Sequence, residues 1–227
     1  MVSGVPVITV DGPSGAGKGA ISYMLAKHLG WHLLDSGALY RVTGQACLIE
    51  GVSWDDHPAV SEVARHLDVV FSAASNGEIL VAYKGVDVSG DIRTEEGGRG
   101  ASTVAAIPAV RAALLQRQHE FKRLPGLVAD GRDMGTVVFC DANLKLFLTA
   151  STTERAQRRY EQLIAKGQNV NLPRLLEDIK ERDARDSSRE ISPLVPAEDA
   201  IVIDSSATPI NDVFAQVMLE VKKKGFI

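Results

Sequence analysis

Short apolar runs of strand length alternate along this chain with longer stretches of helical period. Val5 to Val10 is the first run, and Trp31 to Leu34 the second. Gly126-Leu127-Val128-Ala129-Asp130 is the third, Lys145 to Leu148 the fourth and Ala200 to Ile203 the fifth. Runs this short, bounded by turn residues, read as buried strands. Between the first two, Ile21, Met24, Leu25, His28 and Leu29 recur at helical spacing, and Gly30 follows as a C-cap. Long helical patterns cover 104–123, 152–166 and 172–187. Strands alternating with helices predict a parallel sheet with helices on both faces. One region breaks the rhythm. Residues 68–90 read Asp-Val-Val-Phe, then Ser-Asn-Gly, then Ile-Leu-Val-Ala-Tyr, then Gly-Val-Asp-Val. That pattern predicts a small antiparallel meander set into the α/β core. No repeat or low-complexity linker interrupts the chain.

Composition narrows the function classes. A chain of 227 residues allows one large domain, or one domain carrying an insert. At 45% hydrophobic and 24% charged it has ordinary globular usage. Cys47 and Cys140 stand far apart with no Cys-x-x-Cys spacing, which argues against a disulfide scaffold or a zinc site and fits a reducing cytosol. The first residues lack the basic and apolar regions of a signal peptide. No stretch reaches 18 uninterrupted apolar residues, so no membrane span is expected. A net charge of −4 does not favour nucleic acid as a partner. An anionic ligand must then be held by a local cluster of basic residues.

The first chemistry-bearing stretch is Gly12-Pro13-Ser14-Gly15-Ala16-Gly17-Lys18, directly after a strand and opening a helix. Glycines let a backbone turn its N–H groups inward, and the following helix adds its unpaired N-terminal amides and its dipole. Lys18 supplies a mobile positive charge to β- and γ-phosphates. A glycine-rich strand–helix connection with no ligand is the alternative, and the position between strand and helix argues against it. The loop alone names no substrate, since kinases, ATPases and GTPases share it.

Four other segments narrow the choice. They are "LLDSGALYR" (33–41), "STVAAIPAVRAAL" (102–114), "ADGRDMG" (129–135) and "KERDARDSSRE" (180–190). Together with the glycine loop they resemble the bacterial cytidylate (CMP) kinases, from about Pro6 to Ser205. The resemblance implies a P-loop nucleoside monophosphate kinase core of the α/β class. Its parallel sheet would have five strands in the order 2-3-1-4-5, flanked by helices. An inserted antiparallel monophosphate-binding subdomain (63–97) and a short lid at about 151–170 would interrupt a core of 1–62 and 98–227. It implies phosphoryl transfer from ATP to CMP, and to dCMP, with Mg²⁺, by a cytoplasmic monomer acting on small molecules. A kinase for another monophosphate such as UMP is one alternative. A nucleotide-binding module that has lost catalysis is the other.

The resemblance also assigns residues. Gly12 to Ala20 (Gly12, Pro13, Ser14, Gly15, Ala16, Gly17, Lys18, Gly19, Ala20) would hold ATP. Lys18, Arg132, Arg155 and Arg159 would act on the transferring group. Ser36, Tyr40, Arg41, Ser102, Arg111, Arg132, Asp133, Arg182, Asp186 and Arg189 would bind CMP. Asp130, closing an apolar strand, would organise Mg²⁺ through water. Asp35 either joins the site or orients Tyr40 and Arg41. The chemistry fits these types. Region 151–190 carries seven arginines and two lysines, and the planar arginine fork suits phosphate oxygens. Arg155, Arg158 and Arg159 share a helix face, as do Arg182, Asp186 and Arg189. Solvated faces paired with Glu154 and Glu161, or a surface ion pair, are the plainer readings. A carboxylate such as Asp133 near cytosine N4 accepts from the amino group and repels the uracil oxygen. Ser102 and Arg111 can donate to N3 and O2, although Ser102 could instead be a helix N-cap and Arg111 an exposed helix residue. The chain departs from the pattern at Lys18-Gly19-Ala20. Kinases of this kind usually carry Thr or Ser where Ala20 stands.

Overall fold

The computed structural model describes residues 4–73, 79–165 and 167–227. Along the chain run β1 (Val7–Asp11), α1 (Lys18–Leu29), β2 (His32–Asp35), α2 (Ser36–Ile49) and α3 (His57–Arg65). Then come β3 (Val69–Ala73), β4 (Ile79–Tyr83), β5 (Val86–Asp87), α4 (Glu95–Val104) and α5 (Pro108–His119). The last part holds β6 (Leu127–Gly131), β7 (Leu144–Thr149), α6 (Thr152–Ala165), α7 (Leu172–Ser187), β8 (Ile201–Asp204) and α8 (Ile210–Lys223). The chain forms two compact units, Met1–Asp35 with Gln118–Ile227, and Ser36–Arg117.

The first unit is built on a five-stranded parallel sheet in the order β2-β6-β1-β7-β8. Counting only these strands, that is 2-3-1-4-5, the order expected from the resemblance. The central strand β1 reads Val-Ile-Thr-Val-Asp and is buried at every position, as a strand covered on both faces must be. Side chains alternate between faces. Ile8 and Val10 join Val128, Leu144, Leu146 and Leu148 on one face, where Ile21 and Leu25 of α1 and Val213, Val217 and Val221 of α8 cover them. Each such side chain taken fully from water contributes about 1.5–3 kcal/mol. Helix α1 starts at Gly17 and stops at Gly30, which is left-handed at φ 67° and donates its N–H to Ala26, as its sequence predicts. On the opposite face of β1 lie Val7, Thr9 and Asp11. A π-helical turn, Met134–Val138, packs against this side through Gly135.

The second unit contains the meander. β3, β4 and β5 pair antiparallel in that order, with Val69 opposite Tyr83 and Ala82 opposite Asp87. The Ser-Asn-Gly segment expected to turn between β3 and β4 lies outside the described residues, as does Lys166 of the basic region. The compact unit is larger than the expected insert of 63–97, because α2 and α4 pack tightly and carry their own part of the core. The approach is made by two glycines. A Cβ on Gly44 would meet the Gly100 backbone at 3.1 Å, and one on Gly100 would meet the Trp54 ring at 2.6 Å. Trp54 is fixed there by its indole N–H, which donates to the Gly44 carbonyl at 3.0 Å.

The helix expected over 104–123 is the shorter α5, preceded by a separate helix. Helix α4 ends at Val104, and Pro108 opens α5. Proline has no N–H to continue a helix and keeps the residue before it out of the helical region. Ser102 therefore sits in the last turn of α4 and is not a helix N-cap. Likewise α7 ends at Ser187, so Arg189 lies just beyond the helix that carries Arg182 and Asp186.

Gly100→Ala should show what the α2–α4 approach is worth. Alanine favours a helix, but here its methyl overlaps a fixed indole. We expect a net loss of about 1–3 kcal/mol, the range for overpacking a tight core. Urea unfolding checks it, and a variant as stable as the parent would mean that Trp54 moves aside without cost.

Candidate active site

In a parallel sheet, ligands collect beyond the carboxyl ends of the strands. Here three neighbouring strands each end in aspartate or run past it: Asp35 on β2, Asp130 on β6 and Asp11 on β1. Asp35 and Asp130 stand side by side in register. Strand alternation sends them apart from Asp11. Asp130 lies toward α1, where its carboxylate is 3.5 Å from the place a Cβ on Gly19 would occupy. Asp11 points to the other face, where it accepts from the Met134 and Gly135 amides, each at 2.8 Å.

The glycine loop follows β1 directly. Gly12 holds φ 143°, and a Cβ there would lie 1.9 Å from the Leu148 carbonyl oxygen of β7, so no other residue fits. Ala16 is fully buried, and its carbonyl accepts from the Ser205 hydroxyl at 3.0 Å. Gly15, Gly19 and Ala20 are exposed. Lys18 opens α1, is buried, and donates Nζ to the Pro13 carbonyl at 2.9 Å. Burial first, and then the Arg132 guanidinium, lower its pKa from 10.5 to about 7, while Asp130 opposes the shift. Burial raises Asp130 to about 6, with Lys18 resisting and Asp35 assisting. A lysine depressed by burial and by neighbouring guanidiniums is a functional-site candidate.

The arginines expected around the transferring group divide by task. Asp186 is buried, and two arginines hold its carboxylate. Arg132 Nε donates at 3.0 Å and Arg189 donates from the other side. Burial pushes the Asp186 carboxyl up, but Arg132, Arg189 and Arg182 outweigh it and hold it below the usual carboxylate range. Arg182 also reaches the Ser14 hydroxyl at 3.4 Å and acts on Lys18. Lys18, Asp130, Arg132, Arg182, Asp186 and Arg189 are thus brought together from three distant segments. Arg155 is engaged elsewhere. It is buried and forks onto Asp183 at 2.5 and 3.0 Å, with further bonds to the Ala150 and Ser14 carbonyls and the Thr152 hydroxyl. It clamps α6, α7 and the glycine loop to one another. Arg158 donates to the carbonyl and hydroxyl of Ser205. Arg159 is partly exposed on α6. The three arginines that share one face by spacing therefore have three different surroundings.

Asp133 is buried beside this group, at the head of the π-helical turn. The second unit carries the remaining candidates. Ser36, Tyr40, Ser102 and Arg111 are all buried there. The Arg111 guanidinium lies over the Tyr40 ring at 5.6 Å and donates to the Ala105 carbonyl at 3.3 Å, so it is not an exposed helix residue. Arg41 donates to the carbonyls of Ile92 at 2.6 Å and Thr94 at 3.4 Å.

Three residues of the site escaped sequence reasoning. Asp11 closes an apolar strand just as Asp130 does, and that signal could have found it. Asp183 and Ser205 gave none, since each acts on a partner far away in sequence. Among the described residues no helix is long and apolar enough to cross a membrane.

The chain matches the family model described as "Cytidylate kinase" over residues 8–223. It is 56% identical over 222 residues to the cytidylate kinase of Stutzerimonas stutzeri, covering 97% of each chain. It is 57% identical over 220 residues to that of Shewanella frigidimarina, covering 96% of each. To that of Shewanella amazonensis it is 56% identical over 220 residues, covering 96% of this chain and 95% of the relative.

The depressed Lys18 predicts proton uptake on nucleotide binding. With a pKa near 7 it is mostly neutral at pH 8. The anionic phosphates favour its charged form and raise that pKa. ATP binding at pH 8, measured by calorimetry in buffers of different ionisation enthalpy, should take up a proton. Lys18→Met should abolish the uptake, and an unchanged uptake in that variant would assign it to another group.

Proposed function

The chain belongs to the cytidylate kinase family, and from that premise we propose how its residues carry the reaction. The reaction is ATP-dependent phosphorylation of CMP. The observation that carries the assignment of roles is the convergence of Lys18, Arg132, Arg182 and Arg189 on one buried carboxylate and one glycine loop. ATP and CMP bring two anionic groups that repel each other, and the transferring group spreads further charge over its oxygens. A site already rich in fixed cations stabilises that charge without having to reorganise.

In this reading the amides of Gly12 to Ala20 cradle the phosphates of ATP, and Lys18 follows the charge of the transferring group. Arg132 and Arg41 hold the monophosphate. Arg182, Asp186 and Arg189 contact its sugar and phosphate, which extends the acceptor range to dCMP. Asp133 accepts from the cytosine amino group, and Ser102 and Arg111 donate to the ring. The phosphate oxygen of CMP attacks the γ-phosphorus in line as the bond to the β–γ bridging oxygen breaks and ADP leaves, and no covalent enzyme intermediate is needed. Arg155 contributes by clamping the loop and the lid helices, whereas Arg159 meets the phosphates when the lid closes. Closure excludes water and suppresses ATP hydrolysis.

Mg²⁺ fits the residues present. No cluster of three or more potential ligands exists among the described residues, so there is no protein cage for a cation. Asp130, partly exposed with Asp35 beside it, offers the one or two carboxylates that Mg²⁺ takes when substrate phosphates and waters complete its shell. Bound there, the ion would neutralise charge on the phosphates of ATP. We place the enzyme in the cytoplasm as a monomer.

The assignment is tested with a panel of nucleoside monophosphates and the variant Asp133→Ala. Wild type should prefer CMP. Asp133→Ala should narrow the CMP-over-UMP ratio of kcat/KM roughly tenfold, within the range of about 1–3 kcal/mol for a base-reading contact. An unchanged ratio with both acceptors slowed alike would make Asp133 a structural residue.

Ala20 lacks the hydroxyl usual at its position, yet the loop amides, the helix terminus and Lys18 remain. Wild type should be active. Ala20→Thr should improve ATP KM or kcat by roughly tenfold or less, since about 1.4 kcal/mol is a factor of ten. If wild type is inert and Ala20→Thr switches it on, the protein is a degenerate kinase. A neutral or harmful Ala20→Thr would show that the hydroxyl has no phosphate partner here.

A further inference from the structure

Asp11 has no place in the roles above, yet it is 5% exposed and lies between the glycine loop and the base-reading turn. Its two oxygens accept separately, Oδ1 from the Met134 amide and Oδ2 from the Gly135 amide, each at 2.8 Å. These are the first two amides of the turn Met134–Val138, and a turn of this kind leaves its leading amides without partners inside it. An aspartate at the head of such a turn usually accepts them itself. Asp133 stands at the head and makes no such bond. The neighbouring strand does the capping instead, so the Asp133 carboxylate is not used to cap the turn it heads.

The surroundings make the arrangement rigid. Asp11 is in register with Gly131, and only Arg132 and Asp133 separate Gly131 from the capped amides. Both ends of that two-residue link are therefore tied to β1, one by the sheet and one by the Asp11 carboxylate. The turn lies so close to β1 that a Cβ on Gly135 would sit 2.9 Å from the Thr9 hydroxyl and 3.3 Å from Asp11 Oδ2, so glycine is what permits the approach. Turns with this wide hydrogen-bond pattern recur at functional sites.

We propose that Asp11 is a positioning residue for the acceptor: it fixes the Arg132–Asp133 link and so governs CMP binding and base discrimination. This rests on the roles given to Arg132 and Asp133. Asparagine has nearly the same shape as aspartate but only one accepting oxygen, so Asp11→Asn faces one of the two amides with its own N–H groups. A misplacement of this kind far from the reacting atoms costs roughly 10–100-fold.

The experiment compares wild type, Asp11→Asn, Asp133→Ala and the double variant with CMP and UMP, alongside KM for ATP and thermal unfolding. Asp11→Asn should raise KM for CMP by roughly 10–100-fold and narrow the CMP-over-UMP ratio, with KM for ATP changed less than about twofold. In the double variant the two effects on the ratio should not multiply, because one residue acts through the other. Equal increases in both KM values would assign Asp11 to the glycine loop and overturn the proposal. A loss of stability with all kinetic constants unchanged would overturn it as well. If Asp133→Ala leaves the ratio intact, the base-reading role of Asp133 fails, and the split between the two KM values still decides for or against Asp11. Amide NMR of the full chain keeps the test open should Asp11→Asn be inactive. The Met134 and Gly135 resonances should shift and exchange faster, and unperturbed resonances there would overturn the proposal.

Discussion

One buried carboxylate organises the cationic side of this protein. Asp186 receives Arg132 and Arg189 directly and feels Arg182 as well. Three guanidiniums around one carboxylate leave an excess of positive charge. A buried ion pair adds little to stability, because desolvation offsets most of the attraction. Its value here lies in placement. Without Asp186 the arginines would repel one another and turn outward to water. With it they stay aimed inward before any substrate arrives, and the anionic phosphates complete the balance. Burial first, and then Arg132 and Arg182 of the same arrangement, lower the pKa of Lys18.

The sheet supplies the frame for that charge. Its strands are in register at their carboxyl ends, and a period of two decides which aspartate faces which way. Asp130 and Asp35 flank each other on adjacent strands, and Asp130 lies toward the start of α1. Asp11 turns to the opposite face and binds the backbone beneath the Arg132–Asp133 link. A shift of one residue in β1 would turn Asp11 toward the other face and break its bonds to the turn. The burial of β1 on both faces prevents such a shift.

The arginines of α6 show how one residue type is put to several uses. Arg155 has its donors committed to Asp183 and to backbone carbonyls, including that of Ser14 in the glycine loop. Arg158 binds the end of β8 at Ser205, whose hydroxyl in turn donates to Ala16 in the loop. The glycine loop is therefore braced from α6, α7 and β8. Its amides are held in place by side chains outside the loop, which glycine content alone would not secure.

The apolar strands, the helix stop at Gly30 and the phosphate-binding loop are local matters. Apolar period and glycine report them, and they were legible in the chain before any fold was known. The order 2-3-1-4-5 and the set of arginines came through the resemblance, whose motifs cover nearly the whole length. Other features depend on residues distant in sequence meeting in space, and no window of sequence contains them. The pairing of Arg155 with Asp183 is one, and the stacking of Arg111 on Tyr40 is another. The exchange of capping from Asp133 to Asp11 is a third. Hydrogen bonds and ion pairs have short range, so they are decided only when packing brings the partners within about 3 Å. Sequence alone determined which residues could carry charge and turn the backbone. The tertiary structure decided which arginine is a clamp, which aspartate is a cap and which lysine has a depressed pKa, because burial and neighbours set each of those.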